Sequence, residues 1–240
     1  PEVRRFFLEV GTYWIREADI DGWRLDVADE VDFTFWQEFR RAVQSVKPEA
    51  LLLGETWKDA GDMLRGDQMD SVMNYLFRSS MVGFFAKSES AKRFDAQIQR
   101  LQRMYAQPAQ QVLYNLIGSH DTERFLTLCG ADERKLMLAA AFQMTYTGMP
   151  AIYYGDEIGM TGGNDPDCRK AMDWNHINAD LLAFYRRITA LRATEPALRL
   201  GSFSTVHADE QSYGFLRHFG AETVYAIFNR SSETVRLQIP

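Results

Sequence analysis

The chain has 240 residues, with 27 Lys or Arg against 33 Asp or Glu, so its formal net charge is −6. Hydrophobic residues make up 46% and charged residues 25%, ordinary values for a globular protein that exclude a disordered or collagen-like chain. The acidic balance argues against nucleic acid as the main partner, because phosphate binding needs a basic face.

Helices and strands alternate along most of the chain. Apolar residues at helical spacing predict helices at 2–18, 35–46, 91–107, 132–146 and 179–193. Apolar runs between them predict strands at 20–27, 50–55, 70–76, 111–118 and 149–154, and a loop rich in Gly, Asp and Pro follows at 155–173. Such alternation predicts an α/β fold with a parallel sheet or a (β/α) barrel.

The pattern changes after Pro196. Short segments of alternating polarity predict antiparallel strands at 202–208, 212–219, 222–229 and 233–239. We therefore expect two domains, with the boundary between residues 196 and 197.

The first predicted strand carries a charged pair near its carboxyl end. Because side chains alternate between the faces of a strand, Leu25 and Val27 are expected to face covering helices. Arg24 and Asp26 then point together in the opposite direction, which is costly for buried charges unless they are paired. A plainer interpretation is that Asp26 or Asp29 caps the next helix, or that Arg24 and Asp26 form a structural ion pair.

Two later strands also lead into carboxylates. The leucines at 51–53 precede Glu55, and apolar neighbours disfavour a charged carboxylate, which suits a general acid. The strand at 111–118 precedes His120 and Asp121. Taken singly, Glu55 could be an ordinary surface glutamate, and the His–Asp pair could be structural.

Three successive strand ends with a carboxylate are harder to ascribe to chance than one. In parallel α/β folds, active sites lie at the carboxyl ends of the strands. Glycoside hydrolysis uses two carboxyl groups, one ionised and one protonated. The sequence therefore predicts a glycosidase site built from Asp26, Glu55 and Asp121.

Four motifs resemble those of the α-amylase family of glycoside hydrolases, in the family's order and across nearly the whole chain. They are Gly22–Glu30 (GWRLDVADE), Leu53–Trp57 (LGETW), Gly118–Asp121 (GSHD), and Pro150–Glu157 (PAIYYGDE) with its continuation to Asp165 and Arg169. Ser119, Glu30 and the run 160–167 look most like the neopullulanase, cyclomaltodextrinase and maltogenic amylase branch.

The resemblance implies a role for each matching residue. Asp26 is the nucleophile that forms a covalent glycosyl-enzyme, and Arg24 orients it. Glu55 is the general acid and then the general base, and Asp121 stabilises the transition state. The reaction retains the anomeric configuration, so the nucleophile and the acid are expected about 5–5.5 Å apart. The other implied residues bind sugar: His120 beside the cleaved bond, Asp165 and Arg169 towards the non-reducing end, and Glu30 and Trp57 on the acceptor side.

The resemblance also implies a fold. Residues 1–196 would form the C-terminal part of a (β/α)8 TIM barrel, from the helix before strand four to helix eight. Residues 197–240 would start an antiparallel β-sandwich domain. The chain begins with Pro1 and ends after a strand-like run, so we expect a piece of a longer protein. A barrel without three strands exposes sheet edges, so this piece alone is expected to be inactive and to aggregate.

The expected partner is an α-glucan oligosaccharide, with no nucleic acid, no membrane, no required cofactor and no metal. The resemblance implies that calcium could bind in the part of the barrel outside this chain and that the longer protein is a homodimer. The longest apolar stretch, 136–154, is broken by polar residues and is a poor membrane span. Two cysteines are too few for a disulfide framework, and free thiols favour a cytoplasmic location.

Alternatives concern the substrate and the chemistry. Thr56, Lys58 and Asp29 differ from the residues more usual in this branch, which leaves open the balance of hydrolysis and transglycosylation. An oligo-1,6-glucosidase or an α-amylase would share the same motifs. A non-catalytic carbohydrate-binding relative would keep the barrel but lose the carboxylates, whereas Arg24, Asp26, Glu55 and Asp121 are all present here. A metal-dependent enzyme would use Asp26, Asp29 and Glu30 as an acidic cluster, but no phosphate-binding glycine loop accompanies them.

Overall fold

The computed structural model describes residues 1–238. Its α-helices within this range are α1 Glu2–Ala18, α2 Phe33–Val46, α3 Tyr75–Met81, α4 Ala91–Met104, α5 Gln107–Gln111, α6 Phe125–Leu128, α7 Glu133–Thr145, α8 Ala179–Thr194 and α9 Pro196–Leu200. Its strands are β1 Gly22–Leu25, β2 Leu51–Thr56, β3 Ser71–Asn74, β4 Tyr114–Leu116, β5 Met149–Ala151, β6 Ser202–Ala208, β7 Ser212–Phe219 and β8 Glu222–Asn229. A π-helical turn at Val82–Ala86 follows α3, and 3₁₀ turns lie at Ala28–Glu30, Asp156–Ile158 and Asp167–Arg169.

The chain packs into two compact units. The first contains residues 1–76 and 104–114, and the second contains residues 77–103 and those from 115 onward. The domain boundary at 196–197 stays a prediction.

In the first unit the strands are parallel, as predicted. Leu25 of β1 lies opposite Gly54 of β2, and Glu55 of β2 lies opposite Met73 of β3. Tyr114, the first residue of β4, also lies opposite Met73. Carboxyl ends of parallel strands share one edge of a sheet, so the chain leaves β1 at Asp26 close to the level of Glu55.

Two amphipathic helices cover this sheet. The buried face of α2 contributes Trp36, Phe39 and Val43 to the core of the first unit, and α1 contributes Ile15. The side chain of Asp32 accepts a hydrogen bond of 3.0 Å from the N–H of Phe35 and so caps the start of α2. The helix ends at Val46, two residues before Pro48, where the sequence pattern predicted its end.

A glycine permits the close approach of β1 to β2. A Cβ atom at Gly22 would lie 2.2 Å from the carbonyl oxygen of Leu51. Alanine at this position would push the two strands apart, so we expect Gly22→Ala to lower the free energy of unfolding by about 1–3 kcal/mol. Urea denaturation measures this loss. The control is Gly61→Ala, whose Cβ would meet only the end of the Asp59 side chain, and an equal loss there would contradict the prediction.

The second unit has an aromatic core and its own sheet. The ring of Phe142 in α7 lies 5.1–6.1 Å from the rings of seven other aromatic residues of this unit. These are Phe77, Phe85, Phe94, Tyr146, Tyr213, Phe215 and Phe228. Strands β6, β7 and β8 form an antiparallel sheet, which confirms the segments predicted at 202–208, 212–219 and 222–229.

The fourth predicted segment, 233–239, differs. Its described residues, 233–238, form no strand, and Ile239 lies outside the described part of the chain. After β8, the Asn229 side chain donates to the carbonyl of Glu233 at 2.7 Å and accepts from Ser231. These local hydrogen bonds turn the chain away from the ladder of β8.

Two arginines, one buried and one partly buried, fix the end of α7 to the segment that leads into the sheet. Arg217 of β7 is fully buried and donates to four backbone carbonyls, those of Thr145, Leu198, Gly201 and Ser202. Arg192 of α8 donates to those of Met144, Tyr146, Gly148 and Leu198. The last carbonyls of a helix lack partners within it, and their dipoles favour a cation. Burial, and then repulsion from Arg192, lowers the pKa of Arg217 to about 10.

Several predicted boundaries were wrong. The strand predicted at 70–76 ends at Asn74, where α3 begins, and the strand predicted at 111–118 is only β4, preceded by α5. The strand predicted at 20–27 is the four-residue β1. Within residues 1–238, no helix has both the length and the apolarity needed to cross a bilayer.

Candidate active site

In the first unit, one arginine joins two carboxylates at the carboxyl ends of β1 and β2. Nη1 of Arg24 donates to Oδ1 of Asp26, and Nη2 of Arg24 lies 3.2 Å from Oε2 of Glu55. The Asp26 side chain is 75% exposed, whereas that of Glu55 is 7% exposed. The structure thus brings together the three residues that the sequence singled out here, with Asp26 open to a ligand and Glu55 enclosed.

The residue after Asp26 also contacts Glu55. The backbone N–H of Val27 donates to Oε2 of Glu55 at 3.1 Å. Val27 has φ 43° and ψ 48°, a left-handed conformation that is costly for a β-branched residue. Its side chain is exposed, so the expectation that Val27 faces covering helices was wrong. The strand ends at Leu25, and the alternation of faces ends with it.

The plainer interpretations of this cluster have different outcomes. Asp32 caps α2, so the capping role suggested for Asp26 or Asp29 was wrong. The ion pair of Arg24 with Asp26 does form, but it extends to Glu55. Across the described residues, no three His, Cys, Asp or Glu side chains are arranged to hold a metal ion, so the acidic cluster of the metal-dependent alternative is not formed.

An aromatic platform follows β2. The ring of Trp57 stacks on the ring of Tyr75 with centroids 3.7 Å apart and planes at 11°. Tyr75 is buried while Trp57 is 48% exposed, so one indole face is supported and the other is free to stack on a ligand. Glu30 is exposed on the 3₁₀ turn that follows Val27. Sequence reasoning proposed Trp57 and Glu30 as binding residues, which stays a prediction, and did not foresee the support from Tyr75.

In the second unit, four predicted residues form a linked group. Oδ1 of Asp121 lies 3.0 Å from Nη2 of Arg169, and Oδ2 of Asp121 lies 3.1 Å from Nε2 of His120. Nε of Arg169 lies 2.8 Å from Oδ1 of Asp165. The side chains of all four are partly exposed, so they present two carboxylates, a guanidinium and an imidazole to a polar ligand. Such groups suit the hydroxyls of a sugar.

A buried ion pair supports this group, and sequence reasoning missed it. Nη1 of Arg124 donates to the carbonyl of Tyr154 at 2.7 Å and to Oδ1 of Asp156 at 3.1 Å. The guanidinium lies 4.5 Å from the ring centre of Tyr153. Arg124 follows Asp121 by three residues, so the pair ties that segment to residues 153–156. Burial raises the pKa of Asp156 to about 7, against the opposing effect of Arg124.

Comparison with known proteins gives a family match over most of the chain. Residues 1–181 match the family described as "Alpha amylase, catalytic domain". The chain is similar to neopullulanase 2 of Thermoactinomyces vulgaris, with 51% identity over the whole chain and 42% of that protein. It therefore spans about two fifths of the length of this relative.

The chain is also similar to solved structures. A cyclomaltodextrinase structure superposes with a TM-score of 0.93 at 44% identity, covering 95% of this chain and 40% of that one. The cyclic α-maltosyl-(1→6)-maltose hydrolase of Arthrobacter globiformis superposes with a TM-score of 0.92 at 39% identity, covering 96% of this chain and 52% of that one.

Proposed function

Because this chain belongs to the α-amylase catalytic-domain family, we propose that it carries the nucleophile and the acid of a retaining α-glucan hydrolase. The observation that carries the proposal is the guanidinium of Arg24, which contacts both Asp26 and Glu55. Two carboxylates held on one arginine, one open and one enclosed, suit the two different tasks of glycoside hydrolysis.

In the first step, the Asp26 carboxylate attacks the anomeric carbon while the bond from this carbon to the leaving oxygen breaks. Glu55 donates its proton to that oxygen, so the leaving sugar departs with a hydroxyl. In the second step, Glu55 takes a proton from water as the water oxygen attacks the anomeric carbon and displaces Asp26.

The other residues act on the substrate and on these two groups. Arg24 orients Asp26, and the N–H of Val27 with Arg24 binds the carboxylate that Glu55 becomes in the first step. Asp121 stabilises positive charge on the sugar in the transition state. His120, Asp165 and Arg169 bind sugar on the non-reducing side of the cleaved bond, and Glu30 and Trp57 bind it on the acceptor side.

The proposed substrates are cyclodextrins, pullulan or maltooligosaccharides. The bonds cleaved are α-1,4 glucosidic bonds, and cleavage of α-1,6 bonds is a further alternative. The names of the similar neopullulanase and cyclomaltodextrinase support this class. The name of the Arthrobacter hydrolase favours keeping the α-1,6 alternative. We also propose that the protein is cytoplasmic, in line with its free cysteines. We propose that it acts as a homodimer and requires no cofactor. If calcium binds, it binds in the part of the barrel outside this chain.

We further propose that activity requires the segments that the relatives possess and this chain does not span. Five large hydrophobic residues on α1 are at least 48% exposed: Val3, Phe6, Phe7, Tyr13 and Trp14. Contiguous apolar surface of this kind marks an interface. By the full-length enzyme we mean this chain joined to the segments that its relatives possess and that it does not span.

The test compares hydrolysis of β-cyclodextrin, pullulan and starch by the full-length enzyme. We expect cyclodextrin to be cleaved fastest, and the isolated chain to be inactive and to aggregate on gel filtration. Faster cleavage of starch would keep the mechanism but place the enzyme in another branch. If no glucan is cleaved, the hydrolase proposal fails and a non-catalytic binding role takes its place.

A further inference from the structure

The guanidinium of Arg169 connects two parts of the candidate site in the second unit. Its Nη2 donates to Oδ1 of Asp121 at 3.0 Å. Its Nε lies 2.8 Å from Oδ1 of Asp165 and 2.9 Å from the carbonyl oxygen of His120. One planar group therefore contacts the carboxylate assigned to the transition state and the carboxylate assigned to a more distant sugar.

The position of Arg169 is fixed by its buried neighbour. Cys168 is fully buried, and its thiol lies 3.2 Å from the same His120 carbonyl that Arg169 contacts. The hydroxyl of Tyr153 donates to the carbonyl of Cys168 at 3.2 Å. The N–H of Arg169 itself donates to the carbonyl of Pro166 at 2.9 Å. The side chain thus extends from an anchored turn rather than from a loose surface loop.

Asp121 depends on Arg169 for its one carboxylate contact from a distant part of the chain. Among the described residues, its other carboxylate partner is the adjacent His120, at 3.1 Å. Its backbone N–H donates to the hydroxyl of Ser119 at 3.2 Å. Without Arg169, only neighbours in sequence would hold this carboxylate, and His120 is itself 43% exposed.

We propose that Arg169 is a positioning residue for Asp121 and that it couples Asp121 to sugar bound at Asp165. The proposal rests on the proposed hydrolase function. It extends that function because a residue that only binds sugar would not need to contact Asp121. A planar guanidinium fixes the direction of a carboxylate through its fork of donors, which an ammonium group does not. Binding energy from a remote sugar, passed through this contact, would act on kcat as well as on KM.

The test uses the full-length enzyme and two substrates of different length. p-Nitrophenyl α-glucoside places one sugar at the cleaved bond, and p-nitrophenyl α-maltotrioside extends further towards Asp165. We expect Arg169→Met to lower kcat on both substrates by about 100-fold, the cost of misplacing a reacting group by about 1 Å. Arg169→Lys keeps the charge but not the fork and should restore only part of kcat.

The control is Lys170→Met, which removes the next cation along the chain, one that pairs with Asp167 rather than with Asp121. It should leave both kinetic constants on the short substrate unchanged. If Arg169→Met raises KM on the long substrate and leaves kcat on both substrates intact, Arg169 only binds sugar and the positioning proposal is overturned.

A structural readout separates this proposal from the hydrolase function. If the wild-type enzyme cleaves neither substrate and none of β-cyclodextrin, pullulan and starch, the hydrolase function has failed, and crystal structures of wild type and Arg169→Met still decide the positioning role. The expected result is a turned Asp121 carboxylate in the variant. An Asp121 carboxylate in the same place in both structures overturns the proposal.

Discussion

Asp26→Asn in the full-length enzyme is expected to lower kcat for α-glucan hydrolysis by roughly 10⁴- to 10⁶-fold, the usual cost of removing a nucleophile. An amide does not form the glycosyl-enzyme, while the fold should persist because most of the Asp26 side chain is exposed. Steady-state rates on maltotriose measure the loss.

Glu55→Gln distinguishes the acid from the nucleophile. With a dinitrophenyl α-glucoside the leaving group needs no proton, so the first step proceeds and the second stalls without its base. We expect the glycosyl-enzyme to accumulate and mass spectrometry to find the sugar on Asp26. The control is Glu49→Gln, the same change at the exposed residue two positions before β2. Accumulation in Asp26→Asn, or none in Glu55→Gln, would mean that the two roles are assigned wrongly.

Arg124→Met is expected to lower the free energy of unfolding by about 3–5 kcal/mol at pH 8, because it leaves the fully buried Asp156 without its partner. Urea denaturation measures the loss. The control is Arg134→Met, which removes an arginine whose side chain is 87% exposed and should leave the free energy of unfolding nearly unchanged.

The effect of Arg124→Met should depend on pH. Burial raises the pKa of Asp156 from its ordinary value of 3.8 to about 7 in the folded chain. Between about pH 4 and pH 7 the folded chain therefore holds a proton that the unfolded chain releases, so this group's contribution to stability falls as the pH rises. At pH 5 Asp156 is neutral, and losing Arg124 should cost less than at pH 8. Equal losses at the two pH values would show that Asp156 does not change its protonation state between them and would contradict the raised pKa.

Amphipathic elements could be predicted from the sequence, whereas the buried helical segment that follows β3 could not. Helices α1 and α2 each have one apolar face, and β6 to β8 alternate polar and apolar residues. Their hydrophobic periods can therefore be recognised in the sequence. The segment 75–86, which forms α3 and the π-helical turn, is buried on nearly all sides. Because so many of its residues are buried, its apolar residues follow no clear helical period, and the pattern predicted a strand that extends into it.

The candidate site also has parts that could be predicted from the sequence and parts that could not. In the first unit, Asp26 and Glu55 could be predicted because each follows an apolar strand, and the parallel strands β1 and β2 bring their carboxyl ends to one edge. The supports of the site could not be predicted, because they arise from contacts distant in sequence. Tyr75 lies 18 residues beyond Trp57, and Asp156 lies 32 residues beyond Arg124. The left-handed turn at Val27 was also hidden, since a valine gives no signal for it.

The hydrogen bonds from Arg217 to backbone carbonyls limit which segments can be exchanged between related proteins. A chimera that grafts another protein's C-terminal sheet after α9 would have to bring an arginine at this position. Without it, the carbonyls of Thr145 and Leu198 each lose one hydrogen-bond donor, even if the grafted strands pair normally. In family shuffling, the α7 end and β7 should therefore be inherited as a pair, and crossovers that separate them are expected to be depleted among folded progeny.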